Sequence, residues 1–486
     1  MAITGSMKKI NVTFLLNFAA AVCASTLFCY SHALAQGADF QGAIKVGVLN
    51  TDNVFLVEAP DETDETIFQF SPLLSLDYEN QMMNAVIRYQ FDRYKYDDMD
   101  RDDQYHRYDA GLTGEFVDKT LFLEIGASRG QSVVDPNGVI PSDNLPISGN
   151  LTDRDEYFVN PRLEKTFGRS VTVTADYRYE DIRFDESDLE DQLIIQNNSN
   201  ESASFELENY KRGQGLTWAA AYEWEDVEYE LSLPWEYKRA GVELGFWANG
   251  TTRIFASGGK ESAWDDPVDR SLQDEFWEAG FAYRNGDKLS AEFAAGDRGF
   301  GSSWRGELDF SFQRGELAFS YAETPTTVGW DRYSPGNLLD PEEPIDLLAQ
   351  PGNAERYISK RGQASLNMNF RRTELSLVIF DEERTGRYRA DGTPLDDETQ
   401  NGASASFTWQ AGARTEIAAR ASIYDRDAEV AAKTEFRRAT VSASYQVGSS
   451  VFLTLSYDYS KQESVDTTTG QDYVAKVASF FVSYQF

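Results

Sequence analysis

The stretch FFVSYQF, Phe480 to Phe486, decides the fold. Read backwards, Phe486, Tyr484, Val482, Phe480 and Ala478 fall on one face of an extended chain. Gln485, Ser483 and Ser479 fall on the other, with Phe481 and Val477 as exceptions. Alternation with period two is the mark of a strand with one apolar face. The question is what that face touches.

The same period recurs upstream from Gln41. Val171, Val173, Ala175, Tyr177 and Tyr179 alternate with Thr172, Thr174, Asp176, Arg178 and Glu180. Val451, Leu453, Leu455, Tyr457 and Tyr459 alternate with Thr454, Ser456, Asp458 and Ser460, and Trp277, Ala279, Phe281 and Tyr283 with Glu278 and Arg284. A soluble sandwich also alternates. Here, however, the connections switch between tight turns, such as Asn285-Gly286-Asp287-Lys288, and long polar segments: Asp97 to Asp103, Asp135 to Asp153, Asp185 to Glu201, Pro325 to Glu355. Short turns on one rim and long loops on the other, with tyrosines where the apolar runs end, describe a transmembrane β-barrel. Prolines other than Pro72, Pro161 and Pro234 are read into loops or turns, as strand ladders require. Pairing turns with loops predicts an all-β, antiparallel barrel of about 22 strands, even in number. The count drops to 18 or 20 if strands are over-read, above all between Ser202 and Glu236, where Gly213-Gln214-Gly215 reads as a turn or an irregularity. The apolar face of the last strand then meets lipid. Phe486, with Tyr484 behind it, is similar to the C-terminal signal read by the barrel-assembly machinery.

The 486 residues carry a net charge of -35, and no basic patch for a nucleic-acid partner is read in the sequence. Lys8 and Lys9 precede an apolar run from Ile10 to Tyr30, and Ala33-Leu34-Ala35 has the small residues of a cleavage site. Residues 1–35 therefore read as a secretory signal and 36–486 as one barrel domain, placed in the outer membrane of a Gram-negative bacterium. Both cysteines and His32 lie in the signal, so disulfides are not expected to brace the mature chain.

On this alternation Arg88, Asp92, Arg178, Glu278, Arg284, Arg305, Glu307, Arg420 and Arg438 point into the lumen as pore-lining residues. Their mixed signs suit paired charges on a solvated wall, or a wet track for a hydroxyl-rich chain, better than a polyanion pore. The acid excess sits in loops such as DETDET (Asp61–Thr66) and DPEEP (Asp340–Pro344), without a calcium-loop pattern. Histidine-based catalysis would fall to His106 alone, in DQYHRYD (Asp103–Asp109). No enzyme, metal or cofactor is expected. The segment Pro325–Glu355 is a candidate for folding into the lumen, although its length better suits an extracellular lobe.

Between Val46 and Tyr96 the chain reads VGVLNTDNVF, then TIFQFSPLLSLDYEN, then AVIRYQFDRYKY. Asp52-Asn53, Ser71-Pro72 and the tyrosines Tyr89, Tyr94 and Tyr96 resemble the outer-membrane barrel porins encoded in bacterial exopolysaccharide clusters, some of them beside exosortase (PEP-CTERM) systems. The resemblance implies a pore that exports or anchors a surface polysaccharide. Its expected partners are outer-membrane lipid and lipopolysaccharide, the assembly machinery, the polysaccharide and periplasmic export components. The alternatives are a general diffusion porin and a structural or adhesive surface barrel.

Overall fold

The computed structural model describes residues 37–486 apart from 135–137, 142–144, 146, 148, 169, 186–195, 210–214, 231–233, 263–271, 328–354, 390–392, 429–432 and 465–471. The signal read over 1–35 and the acidic Asp340–Pro344 lie outside the described residues.

Twenty-two strands follow one another, from β1 (Ala38–Thr51) and β2 (Glu65–Glu79) to β22 (Tyr473–Gln485), in one antiparallel sheet. β1 pairs with β2 on one side and with β22 on the other, from Ala43 opposite Gln485 to Thr51 opposite Val477. The ring is closed. No edge is left with unpaired N–H and C=O groups, which is the condition for a sheet to sit in lipid.

The period of two decides which residues face out. In β12 (Leu272–Asn285), Trp277 and Phe281 are 57% and 48% exposed, while Glu278 between them is 7% exposed. In β22, Phe480 and Tyr484 are exposed, and the exception Phe481 turns to the lumen, where Lys45 Nζ sits 3.8 Å above its ring. Phe481 joins Leu49, Val54, Ile67, Tyr94, Tyr96 and Leu145 in a buried cluster, with Val477, the other exception, packed against it. Burying such a ring stabilises by about 1.5–3 kcal/mol. The opposite, outward face is a belt of exposed Phe, Leu, Ile, Val and Trp around the ring. An even-stranded closed barrel with this belt is an outer-membrane barrel.

Several strands run farther outward than their sequences suggest. Asp102 and Asp103 open β4 (Asp102–Val117), Leu151–Asp153 open β6 (Leu151–Phe167), and Asn198–Glu201 open β8 (Asn198–Asn209). Above the belt both faces are polar, the inward one through buried residues such as Thr152 and Asn200, so the apolar alternation fades while the ladder continues. Pro325 likewise lies within β15 (Gly315–Thr327), opposite Ile358 of β16 (Glu355–Asn369). It is tolerated because pairing with the other neighbour, β14 (Gly301–Phe312), stops at Tyr321, so no donor is missed there.

The chain end is stitched to the first strand. Gly42 N–H donates to the Phe486 carbonyl and Phe486 N–H donates to Gly42, both at 2.9 Å. The Phe486 ring lies where a Cβ on Gly42 would come within 2.5 Å of it. Deleting Phe486 removes two backbone bonds, about 1 kcal/mol each, and uncovers the seam. Heat-modifiable barrel recovered from outer membranes is expected to fall severalfold, with Phe486→Trp retaining most of it. Undiminished recovery of the deletion would remove the assembly role from this residue.

Candidate functional site

The inner wall from β8 to β14 carries an open concentration of charge. It comprises β8, β9 (Gly215–Tyr229), β10 (Trp235–Trp247), β11 (Thr252–Ser262), β12, β13 (Leu289–Arg298) and β14. A recess of about 400 Å³ opens on it. Arg239 lies 4.3 Å over the Phe276 ring and 3.6 Å from Glu278. Arg305 meets Glu292 at 2.5 Å and Glu278 at 3.9 Å. Arg253 pairs with Glu243 and donates to Thr217 Oγ1 at 3.1 Å. The Phe276 ring lies flat because inward positions beside it are glycines: a Cβ at Gly241 would stand 2.7 Å from the ring and one at Gly259 2.8 Å. A flat ring then offers its face to the guanidinium. All three arginines are thus pinned to the wall and charge-paired.

The neighbouring part of the wall differs. Glu206 and Glu208 of β8 and Glu223 and Glu225 of β9 share the inward face, opposite Ala221, Ala219, Ser204 and Ser202 in turn. None of the four has an ion-pair partner among the described residues. Successive inward positions along a strand are about 7 Å apart, so the carboxylates descend the wall one per rung.

Of the residues assigned to the lumen from sequence, all lie on the inward face, but only Glu278 and Arg305 meet in the recess. Arg284 stands opposite Ser290, and Glu307 opposite Glu292 and Ser320. Arg178 bonds Glu180 at 3.0 Å and covers Phe158 at 4.3 Å. Arg88, on β3 (Met83–Tyr96), stands opposite Ser75 and Asp109. Arg420, on β19 (Thr415–Ala428), stands opposite Ser406 and Thr440, and Arg438, on β20 (Thr434–Gln446), meets Asp458 at 3.0 Å. Asp92 is sealed from water, held by Arg107 and by Ser71 Oγ at 2.5 Å. The sequence reading passed over Arg239, Arg253 and the four glutamates. The four glutamates fall between Ser202 and Glu236, the stretch where strand boundaries were hardest to draw, and Arg239 and Arg253 lie just beyond it.

A second feature narrows the lumen. Between β5 (Leu121–Val133) and β6 the connection crosses to the inner faces of β20 to β22. Ile140 N–H donates to Gln462 Oε1 of β21 (Val451–Ser464) at 2.9 Å, and Gln462 Nε2 donates to the Gly138 carbonyl at 2.9 Å. Tyr473 O–H donates to the Ile140 carbonyl at 2.6 Å, and Tyr96 O–H to that of Leu145 at 2.9 Å. Val139 and Ile140 are buried with Tyr424, Phe436, Tyr473 and, on β17 (Thr373–Arg389), Phe380. The β15–β16 connection, which by sequence was a candidate for the lumen but better suited an extracellular lobe, falls, over 328–354, outside the described residues.

His106 faces outward with the girdle, its Nδ1 2.8 Å from the Tyr89 hydroxyl and its ring 5.0 Å from that of Phe91.

No family description matches the chain, and no curated protein does. Among solved structures, the siderophore receptor PirA of Pseudomonas aeruginosa is 12% identical with a TM-score of 0.43, over 92% of this chain and 80% of that one. The ferric preacinetobactin receptor BauA of Acinetobacter baumannii gives 12% and 0.47 over the same shares, 92% and 80%. The trimer form of the outer membrane protein OmpT of Vibrio cholerae gives 11% and 0.33 over 92% and 99%. Likenesses this distant carry nothing about ligand or mechanism.

Proposed function

We propose that this barrel is an outer-membrane conduit serving the export or surface anchoring of an exopolysaccharide. The observation that carries the reading is the β8–β14 wall, where paired guanidiniums, one of them over the flat Phe276 ring, and carboxylates outside ion pairs line an open recess. Such a strip is wet, rich in donors and acceptors, and without a deep apolar pocket. It suits a hydroxyl-rich chain that must bind weakly at many places and move on. The Val46–Tyr96 resemblance supplies the polymer class. Lipopolysaccharide around the belt, the assembly machinery and periplasmic export components complete the proposed surroundings. The reading assigns no chemical reaction to the chain.

The β5–β6 connection favours a second reading, a diffusion porin for small solutes, because an inward loop narrows the passage. Planar-bilayer conductance of the refolded chain separates the two. Addition of the secreted polysaccharide to one side is expected to block steady channels. Channels indifferent to the polymer would favour the porin, and an unchanged surface polysaccharide in a deletion strain would remove the export role.

A further inference from the structure

The lumen is filled unevenly. The buried clusters that hold the β5–β6 connection draw their residues from β1 to β6 and from β17 to β22. Among the described residues none comes from β8 to β16, which is where the recess lies. Positive and negative charge are also disposed differently on that open side. The three arginines are each held in an ion pair, whereas Glu206, Glu208, Glu223 and Glu225 descend one per rung outside any ion pair among the described residues, with Thr174, Thr172, Arg239 and Tyr237 in turn opposite them on their other neighbouring strands. From the outer side inward the order is Glu225, Glu223, Glu206, Glu208.

We infer that the permeation path is eccentric, running down the β8–β14 wall, and that its glutamate staircase selects cationic over anionic solutes. A row of like sites at near-equal spacing passes a charged unit from one to the next, and no single site holds it strongly enough to stop transit. Low-dielectric walls on either side focus the field and raise the local concentration of cations. The inference rests on the conduit reading for one consequence: the saccharide that fits is one carrying free amino groups, and a polyuronate is repelled.

The chain beyond residue 35 has no cysteine, so single cysteines are clean probes. Glu223→Cys lies on the proposed path. Ser460→Cys lies on the filled side, 4% exposed, two residues from the loop anchor Gln462. A cationic methanethiosulfonate reagent is expected to lower conductance through the first variant and to leave the second unchanged. In a potassium chloride gradient the unmodified barrel is expected to prefer K⁺ over Cl⁻ by roughly tenfold, and the combined variant Glu206→Gln, Glu208→Gln, Glu223→Gln, Glu225→Gln to lose most of that preference. Glucosamine oligomers should block at lower concentration than dextran oligomers of equal length, and oligogalacturonate should not block. Block through Ser460→Cys alone would overturn the eccentric path, and an unselective wild type or an unaltered Gln variant would overturn the staircase. The conduit reading falls separately, by an unchanged polysaccharide phenotype, while the ion preference stays measurable.

Discussion

Replacing residues 138–148 by a short Gly-Ser turn is expected to raise single-channel conductance by ~2-fold or more, the largest change any single alteration should give. The connection carries Val139, Ile140 and Leu145 into the lumen, each 5% exposed or less. It is fixed there by bonds to Gln462, Tyr473 and Tyr96. Conductance follows the open cross-section, and a dry cluster contributes none. The same change exposes Tyr424, Phe436 and Tyr473 to water, so the barrel should also lose a few kcal/mol of stability, at about 1.5–3 kcal/mol for each large apolar side chain uncovered. A milder pair, Gln462→Ala with Tyr473→Phe, removes anchors but keeps the cluster, and should give flickering between two conductance levels. An unchanged conductance in the shortened protein would mean that the loop does not limit flow.

Arg384→Met should cost the barrel ~3–5 kcal/mol. Arg384 is 1% exposed and bridges two carboxylates: Glu382 at 3.1 Å on its own strand and Glu398 at 3.6 Å on β18 (Glu398–Gln410). Its guanidinium lies 4.7 Å over the Tyr357 ring. Glu398 keeps Arg426 at 2.7 Å and Arg387 at 3.2 Å after the change. Among the described residues Glu382 then keeps Ser359 at 2.7 Å and a long contact to Arg361 at 3.9 Å, and a buried carboxylate so weakly compensated is expensive. The temperature at which the folded band converts to the unfolded one on SDS gels should fall. Adding Glu382→Gln should recover part of the loss, because no uncompensated charge remains. An unmoved transition in Arg384→Met would show the network to be energetically slack.

Much of the ring was legible from the chain alone, and for a local reason. Lipid on one side and water on the other force period two on every spanning strand, as Trp277–Tyr283 and Phe480–Phe486 display. The exceptions were legible as exceptions only. Phe481 and Val477 turn inward onto a cluster whose other members are Leu49, Tyr94 and Leu145, far away in sequence. Strand ends above the belt were read as loops because both faces there are polar, as at Asp102, Thr152 and Asp153. Which loop enters the lumen depends on what it meets across the ring. Nothing local to Ile140 announces Gln462 or Tyr473. The recess was half visible: Glu278 and Arg305 could be placed on the right face, but their meeting with Arg239 needs the register of β10 to β14.

The anchors of the β5–β6 loop also set an order of events. Ile140 and Gln462 are 322 residues apart, and Tyr473 and Ile140 are 333. Contacts so distant along the chain form late. Here they require strands from the last hairpin to stand beside those from the first, which happens only once the seam has zipped. The loop therefore works as an internal witness to completion: protease-sensitive while the barrel is an open sheet, protected once the two ends have met. Limited proteolysis within 138–147 during assembly would time that moment in a single chain.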